Sequence, residues 1–149
     1  MSKKSHEIYR LLAQIMKLSF SSAYPKFHEL HIHPAQADLL HILRQNPGIT
    51  QSDLAKRLYI APSTVAISLN RLEEAGYVYR EKGEDKRKSM VFLTGKSAQI
   101  IKTVDETFAR LNHQLTNTLT EEERASLAAL LGKIRDSLIQ ERTEEAPKE

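Results

Sequence analysis

Four long cations, Lys82, Lys86, Arg87 and Lys88, stand in or beside the short polar segment EKGEDKRKS, residues 81–89. Side chains of this kind reach phosphate oxygens, or the negative potential of a narrow minor groove. Just upstream, Ser63, Thr64, Ile67, Ser68 and Arg71 fall mostly on one side of a helical stretch whose other side is apolar. Small polar residues let a helix backbone approach a major groove closely, and exposed N–H groups at a helix start can hold a phosphate. The chemistry these residues suit is therefore contact with duplex DNA. A helical hairpin followed by a solvated turn is the plainer alternative, and it weakens when both features occur in this order and at this spacing.

Other chemistry is less well supplied. There is no HExxH, no phosphate-binding glycine loop and no spacing of Ser, His and Asp that marks a hydrolase, so no enzyme is expected. Cysteine is absent, which excludes disulfides, thiolate nucleophiles, Cys-ligated zinc and thiol redox sensing. His28, His31, His33 and His41 lie close together in sequence, and imidazoles so spaced could serve Zn²⁺. The reading as polar linker residues is preferred, and a pH-sensitive role follows only from the ordinary imidazole pKa. No cofactor is expected.

With 22 Lys and Arg against 19 Asp and Glu in 149 residues, the net charge of +3 says little. Its distribution says more. Residues 1–119 carry 17 basic and 11 acidic side chains, whereas residues 120–149 carry 5 and 8. The basic excess sits with the candidate DNA surface, a weak sign of an anionic partner. No apolar run approaches the roughly 20 residues of a membrane span, and the N-terminus has no apolar core behind its lysines. A cytoplasmic protein without a membrane partner is expected.

The elements that must position these residues can be read from periodicity. Ile8, Leu11, Leu12, Ile15, Met16 and Leu18 predict an amphipathic helix from about Ser5 to Ala23, ended by Pro25. Pro34 suits the first turn of a second helix, which stops at Asn46-Pro47-Gly48. Thr50 caps a short helix to about Leu58, and the next runs from Pro62 to Gly76 with Val65, Leu69 and Leu72 as its buried stripe. Tyr77–Arg80 and Met90–Leu93 favour strands around the charged tip. Helical period returns from Lys96, and Thr120-Glu121-Glu122-Glu123 opens a last helix. The fold expected is mainly α with a small β-hairpin wing: a winged helix-turn-helix. The domain reading is one protomer spanning 1–149, with an N-terminal helix and linker over 5–33, the winged lobe over 34–95, C-terminal helices over 96–142 and an aperiodic tail over 143–149.

From about residue 8 to 140 the sequence resembles the MarR family of transcriptional regulators. The segments that carry the likeness are ITQSDLAKRLYIAPSTVAISLNRLEEAGYVYRE and EDKRKSMVFLTGKS. Asp85-Lys86-Arg87 followed by Leu93-Thr94 is similar to the family's wing signature, and Arg71–Val78 to its end-of-helix pattern. The resemblance implies a homodimer built through the N- and C-terminal helices, reading a palindromic operator, more often as a repressor. It implies that Arg87 enters the minor groove, that Asp85 orients it, and that Lys86 and Lys88 lie on the same wing. It further implies that Ser63, Thr64 and Asn70 face phosphates or base edges, with Arg71 near the backbone and Gln51 and Ser52 at phosphate. Ile67 departs from a position that is often polar or basic, and would pack on a thymine methyl instead. Ala61 and Ser97 depart as well, from the usual hydroxyl cap and glycine. Leu30-His31-Ile32-His33-Pro34 departs from the usual L-G-L-T-P linker. The family commonly holds a small apolar or aromatic effector beside the dimerisation helices, which implies a pocket wall from Tyr9, Met16, Phe20, Tyr24 and Phe27. Two rivals stand beside this reading: a zinc-responsive regulator using the linker histidines, and a winged-helix module that binds protein without DNA.

Overall fold

Helix α1, Glu7–Glu29, is longer than its periodicity predicts, because Pro25 lies inside it rather than at its end. Proline removes one helical N–H and leaves the carbonyl one turn earlier, at exposed Ser21, to solvent. Burial outweighs that loss. Ala23 and Phe27, one turn apart across the proline, are both 1% exposed. The computed structural model describes residues 6–145, so the expected start at Ser5 lies outside it. The order continues with α2 (Pro34–Gln45), α3 (Gln51–Leu58), α4 (Pro62–Glu74), β1 (Val78–Lys82), β2 (Ser89–Leu93), one 3-10 turn (Gly95–Ser97), α5 (Ala98–Thr116) and α6 (Glu121–Glu145).

The described residues form two compact units, one up to Leu111 and one from Asn112. In the first, a single core joins Ala23 and Phe27 of α1, Leu39, Leu40 and Leu43 of α2, Leu54 of α3, and Val65, Leu69 and Leu72 of α4. Val78 and Val91 of the wing and Ile100, Ile101 and Val104 of α5 complete it. Each fully buried Leu, Val or Phe contributes roughly 1.5–3 kcal/mol relative to exposure, which is what fixes α4 against its neighbours.

Helix ends explain several residues that sequence alone leaves open. Three helices stop with the same pair of bonds: the N–H of a left-handed residue and that of its successor return to the last turn. His31 (φ 54°) and Ile32 donate to His28 and Phe27 carbonyls at 3.0 and 3.1 Å after α1. Tyr59 (φ 55°) and Ile60 do so after α3, and Gly76 (φ 81°) and Tyr77 after α4. Only the glycine announces itself by type. At the other end, His33 caps α2, its Nδ1 accepting from the Ala35 N–H at 3.2 Å while Gln36 Oε1 accepts from the His33 N–H at 2.9 Å.

The hairpin pairs Val78 with Leu93 through to Lys82 with Ser89, antiparallel. A third segment, absent from the sequence reading, lies along β2. Gly48 donates to the Val91 carbonyl at 3.0 Å, Val91 donates to Ile49 at 2.9 Å, and Thr50 bridges Met90. Gly48 has φ 78°, and a Cβ there would stand 3.1 Å from the Phe92 ring. The breaker cluster Asn46-Pro47-Gly48 thus ties the helix-turn-helix to the wing.

In the second unit, α6 begins with a reciprocal cap. The Thr120 N–H donates to Glu123 Oε2 at 2.9 Å, and the Glu123 N–H to Thr120 Oγ1 at 3.2 Å. The helix continues through Thr143–Glu145, where an aperiodic tail is expected; residues 146–149 lie outside the description. Leu127, Leu130, Leu131, Ile134 and Leu138 are exposed along it. No described helix is long and apolar enough to cross a membrane.

Candidate nucleic-acid interface

Helix α4 presents a continuous exposed stripe. Val65, Leu69 and Leu72 are buried, and this burial turns Ser63, Thr64, Ile67, Asn70 and Arg71 outward. Ile67 is 55% exposed, an unusual cost for an isoleucine that nothing in the chain covers. Ala61 precedes Pro62 and makes no side-chain cap. Pro62 has no N–H and the Thr64 N–H donates to the Ala61 carbonyl at 3.0 Å, so in the first turn it is the Ser63 N–H that is left to solvent or to a ligand. At the start of α3 the Thr50 hydroxyl accepts from the Asp53 N–H at 3.1 Å, with half-buried Gln51 and exposed Ser52 beside it.

The wing tip is ordered by its own side chains. Asp85 Oδ1 accepts from the Arg87 N–H at 3.1 Å and from Arg87 Nε at 3.2 Å, and the Lys88 N–H closes the turn on the Asp85 carbonyl at 2.9 Å. These bonds, the Arg87 backbone N–H first and its guanidinium second, hold the Asp85 carboxyl below the usual aspartate range. Arg87 itself remains 91% exposed, a pre-aimed cation whose side chain bonds only Asp85 among the described residues. An open recess of about 270 Å³ joins Thr50, Gln51, Ser52 and Pro62 to Arg87, Lys88 and Ser89. Two helix starts and two cations therefore border one concavity, a setting suited to a phosphate backbone.

Sequence reasoning missed Arg80. Its guanidinium, on β1, bonds Glu73 Oε2 (2.8 Å), Gln51 Oε1 (3.3 Å) and Asn70 Oδ1. Gln51 and Asn70 are thus not free side chains; both are held by a residue from the wing. The only available signal was an Arg directly after Tyr77-Val78-Tyr79 in the expected first strand.

His28, His31 and His33 border one recess but are not grouped as metal ligands among the described residues, and His41 lies elsewhere. His33 Nδ1 serves as a helix cap, and His31 ends α1. His41 Nδ1 lies 2.9 Å from Asp105 Oδ1, its Nε2 lies 3.2 Å from Gln45, and its ring packs on Phe108. Asp105 is paired with Arg44 as well. His28 is exposed on α1 beside Tyr24. Among the described residues no three His, Asp or Glu are grouped as a metal ion requires.

The expected effector wall is likewise dispersed. Phe27 is in the core against Phe108, ring centroids 5.9 Å apart, rather than on a pocket surface. Tyr9, Met16 and Phe20 are exposed along α1. Tyr24 borders an open recess of about 300 Å³ with His28, His31, Ile32, His33 and Pro34.

Comparison with known proteins agrees with this geometry. The model of the MarR family matches residues 32–88, which span α2 to the wing tip. The transcriptional regulator PecS of Dickeya dadantii is 30% identical over 120 residues, covering 78% of this chain and 72% of PecS. The chain belongs to the MarR family. Two solved structures share the fold over most of the chain. A MarR mutant from E. coli complexed with operator DNA shares 30% identity, covers 89% of this chain and 99% of that one, and superposes with a TM-score of 0.74. The S. aureus MepR–DNA complex shares 28% identity over 92% of this chain and 99% of that one, with a TM-score of 0.77. The fold is the MarR winged helix, with Asp85 and Arg87 at its wing tip and Ser63 and Thr64 opening its exposed helix.

Proposed function

We propose that the protein is a cytoplasmic transcriptional regulator that binds double-stranded DNA as a homodimer on a palindromic operator, repressing until a small effector binds. The observation that carries this reading is the wing tip, where Asp85 pre-aims the exposed Arg87 at a recess it shares with the starts of α3 and α4. Arg87 enters the minor groove, Lys86 and Lys88 take phosphates, and Asp85 stays off the DNA as the residue that aims Arg87. Ser63 and Thr64 meet phosphate or base edges, Arg71 lies near the backbone, and Ile67 packs on a thymine methyl. Gln51 and Ser52 meet phosphate at the start of α3, and Asn70 lies on the same stripe as Ser63 and Ile67.

Dimerisation accounts for the exposed apolar residues of α1 (Ile8, Leu11, Leu12, Ile15) and of α6 (Leu130, Leu131, Ile134, Leu138). A two-fold dimer would place two α4 helices about one DNA turn apart, roughly 34–36 Å. An apolar or aromatic effector, taken at the Tyr24 recess, would shift that spacing, and coupling of about 1–3 kcal/mol is enough.

Selection of bound duplexes from random DNA, repeated with candidate effectors, tests the reading. A two-fold-related consensus is the expected product. Failure to enrich any sequence would overturn it.

A further inference from the structure

Arg80 is half-buried on β1 and reaches two helices at once. Nε donates to Glu73 Oε2 at 2.8 Å, Nη1 donates to Gln51 Oε1 at 3.3 Å, and Nη2 donates to Asn70 Oδ1. A guanidinium carries five donors in a rigid plane and no acceptor. Whatever amide atom faces it must therefore be the oxygen, which removes the usual ambiguity between the two ends of Gln and Asn. Glu73 balances the charge, and the two amides are gripped by their oxygens.

We infer that Arg80 is a positioning residue that sets the hydrogen-bonding polarity of the DNA surface, an inference that rests on the DNA-binding reading above. A free amide can turn either end to a ligand. Here the oxygens of Gln51 and Asn70 are turned to Arg80, so their NH₂ groups point away from it. Asn70 is exposed on the stripe that carries Ser63 and Ile67, and Gln51 borders the recess with Arg87. Both amides meet DNA as donors. They take phosphate oxygens, purine N7, guanine O6 or thymine O4, whereas the paired contact by which an amide reads adenine also needs its oxygen. Arg80 thereby biases the sequence read by α4 without touching DNA.

The test compares wild type with Arg80→Met, Arg80→Lys, Asn70→Ala and the Arg80→Lys/Asn70→Ala pair. Each is run against the duplex that wild type selects from a random library, and the selection is repeated for each Arg80 variant. Arg80→Lys keeps the charge but loses the fork, and is the variant that carries the test if Arg80→Met does not fold. Expected are a loss of about tenfold in affinity for either Arg80 variant, and a newly gained preference for adenine at the base pair under Asn70, whose freed amide can then make the paired contact. Asn70→Ala should cost about tenfold in wild type and little further in the Arg80→Lys background. The side-chain NH₂ signals of Gln51 and Asn70 should move toward free-amide positions in both Arg80 variants. A purely structural role for Arg80 lowers the melting temperature and leaves base preference unchanged; that result, or additive losses in the double variant, overturns the inference. If wild type enriches no duplex, the DNA-binding reading fails first, and amide signals unmoved by Arg80→Lys would independently remove the positioning role.

Discussion

Arg80 Nε donates to Glu73 Oε2 at 2.8 Å, so the last turn of α4 is tied to the first strand of the wing. The two parts expected to touch DNA are thereby joined by an ion pair as well as by the core that Leu69, Leu72, Val78 and Val91 share. Arg80 is 24% exposed and Glu73 44%, partial burial in which such a pair is screened less than at an open surface.

Arg87→Ala should weaken binding to a selected duplex by about tenfold or more and flatten the salt dependence. Because Arg87 is 91% exposed, the melting temperature should stay unchanged. Fluorescence anisotropy and thermal melting read the two effects separately. Undiminished binding would remove Arg87 from the interface.

Asp85 gives a pH prediction with a definite sign. Its folded pKa lies below the ordinary value of 3.8, held down first by the Arg87 backbone N–H and then by the Arg87 side chain. A depressed acid contributes stability above its unfolded pKa and loses it as pH falls through the lower, folded one. A carboxyl NMR titration should therefore place the Asp85 midpoint below that of a free aspartate. In Arg87→Ala the midpoint should rise but not return fully, since the backbone bond remains.

His31 holds a left-handed conformation that costs an L-residue about 1–2 kcal/mol. His31→Gly should raise stability by up to about 1 kcal/mol in urea unfolding, part of the relief being offset by glycine's entropy. A loss of stability would mean that the imidazole has work of its own, as the zinc reading requires.

Leu130→Asp, on the exposed stripe of α6, should convert a dimer to monomer by sedimentation and abolish high-affinity DNA binding. The side chain is 59% exposed within the chain, so helicity should be kept. A dimer that survives this change would place the interface elsewhere.

Phe27→Ala should cost about 3–5 kcal/mol of stability, as removal of a fully buried aromatic does. Phe20→Ala, at a residue 45% exposed, should cost far less in the isolated protomer. Similar losses at both positions would contradict the separation of core and surface along α1.

Much of the fold was legible in the sequence, for reasons that differ by element. The stripe Val65, Leu69 and Leu72 announced α4 because helical burial leaves a period of 3.6, and Thr120-Glu121-Glu122-Glu123 announced α6 because caps use few residue types. The wing tip was legible because Asp85 and Arg87 are close in sequence and bond each other locally. Pro25 misled, since its local cost is offset by Ala23 and Phe27 packing against helices remote in sequence. The partners of the histidines were not legible: His33 caps a helix and His41 meets Asp105, 64 positions away.

Local chemistry, then, was written in the chain itself: the basic wing, the exposed stripe of α4, the absence of cysteine and the order of elements. Tertiary structure alone decided that residues 48–50 join the wing, that Phe27 is core, and that Arg80 grips Gln51, Asn70 and Glu73. The reason is range. Periodicity and caps act over a turn or two of chain, whereas a guanidinium 29 positions from Gln51 finds it only after the core has folded α3, α4 and β1 together.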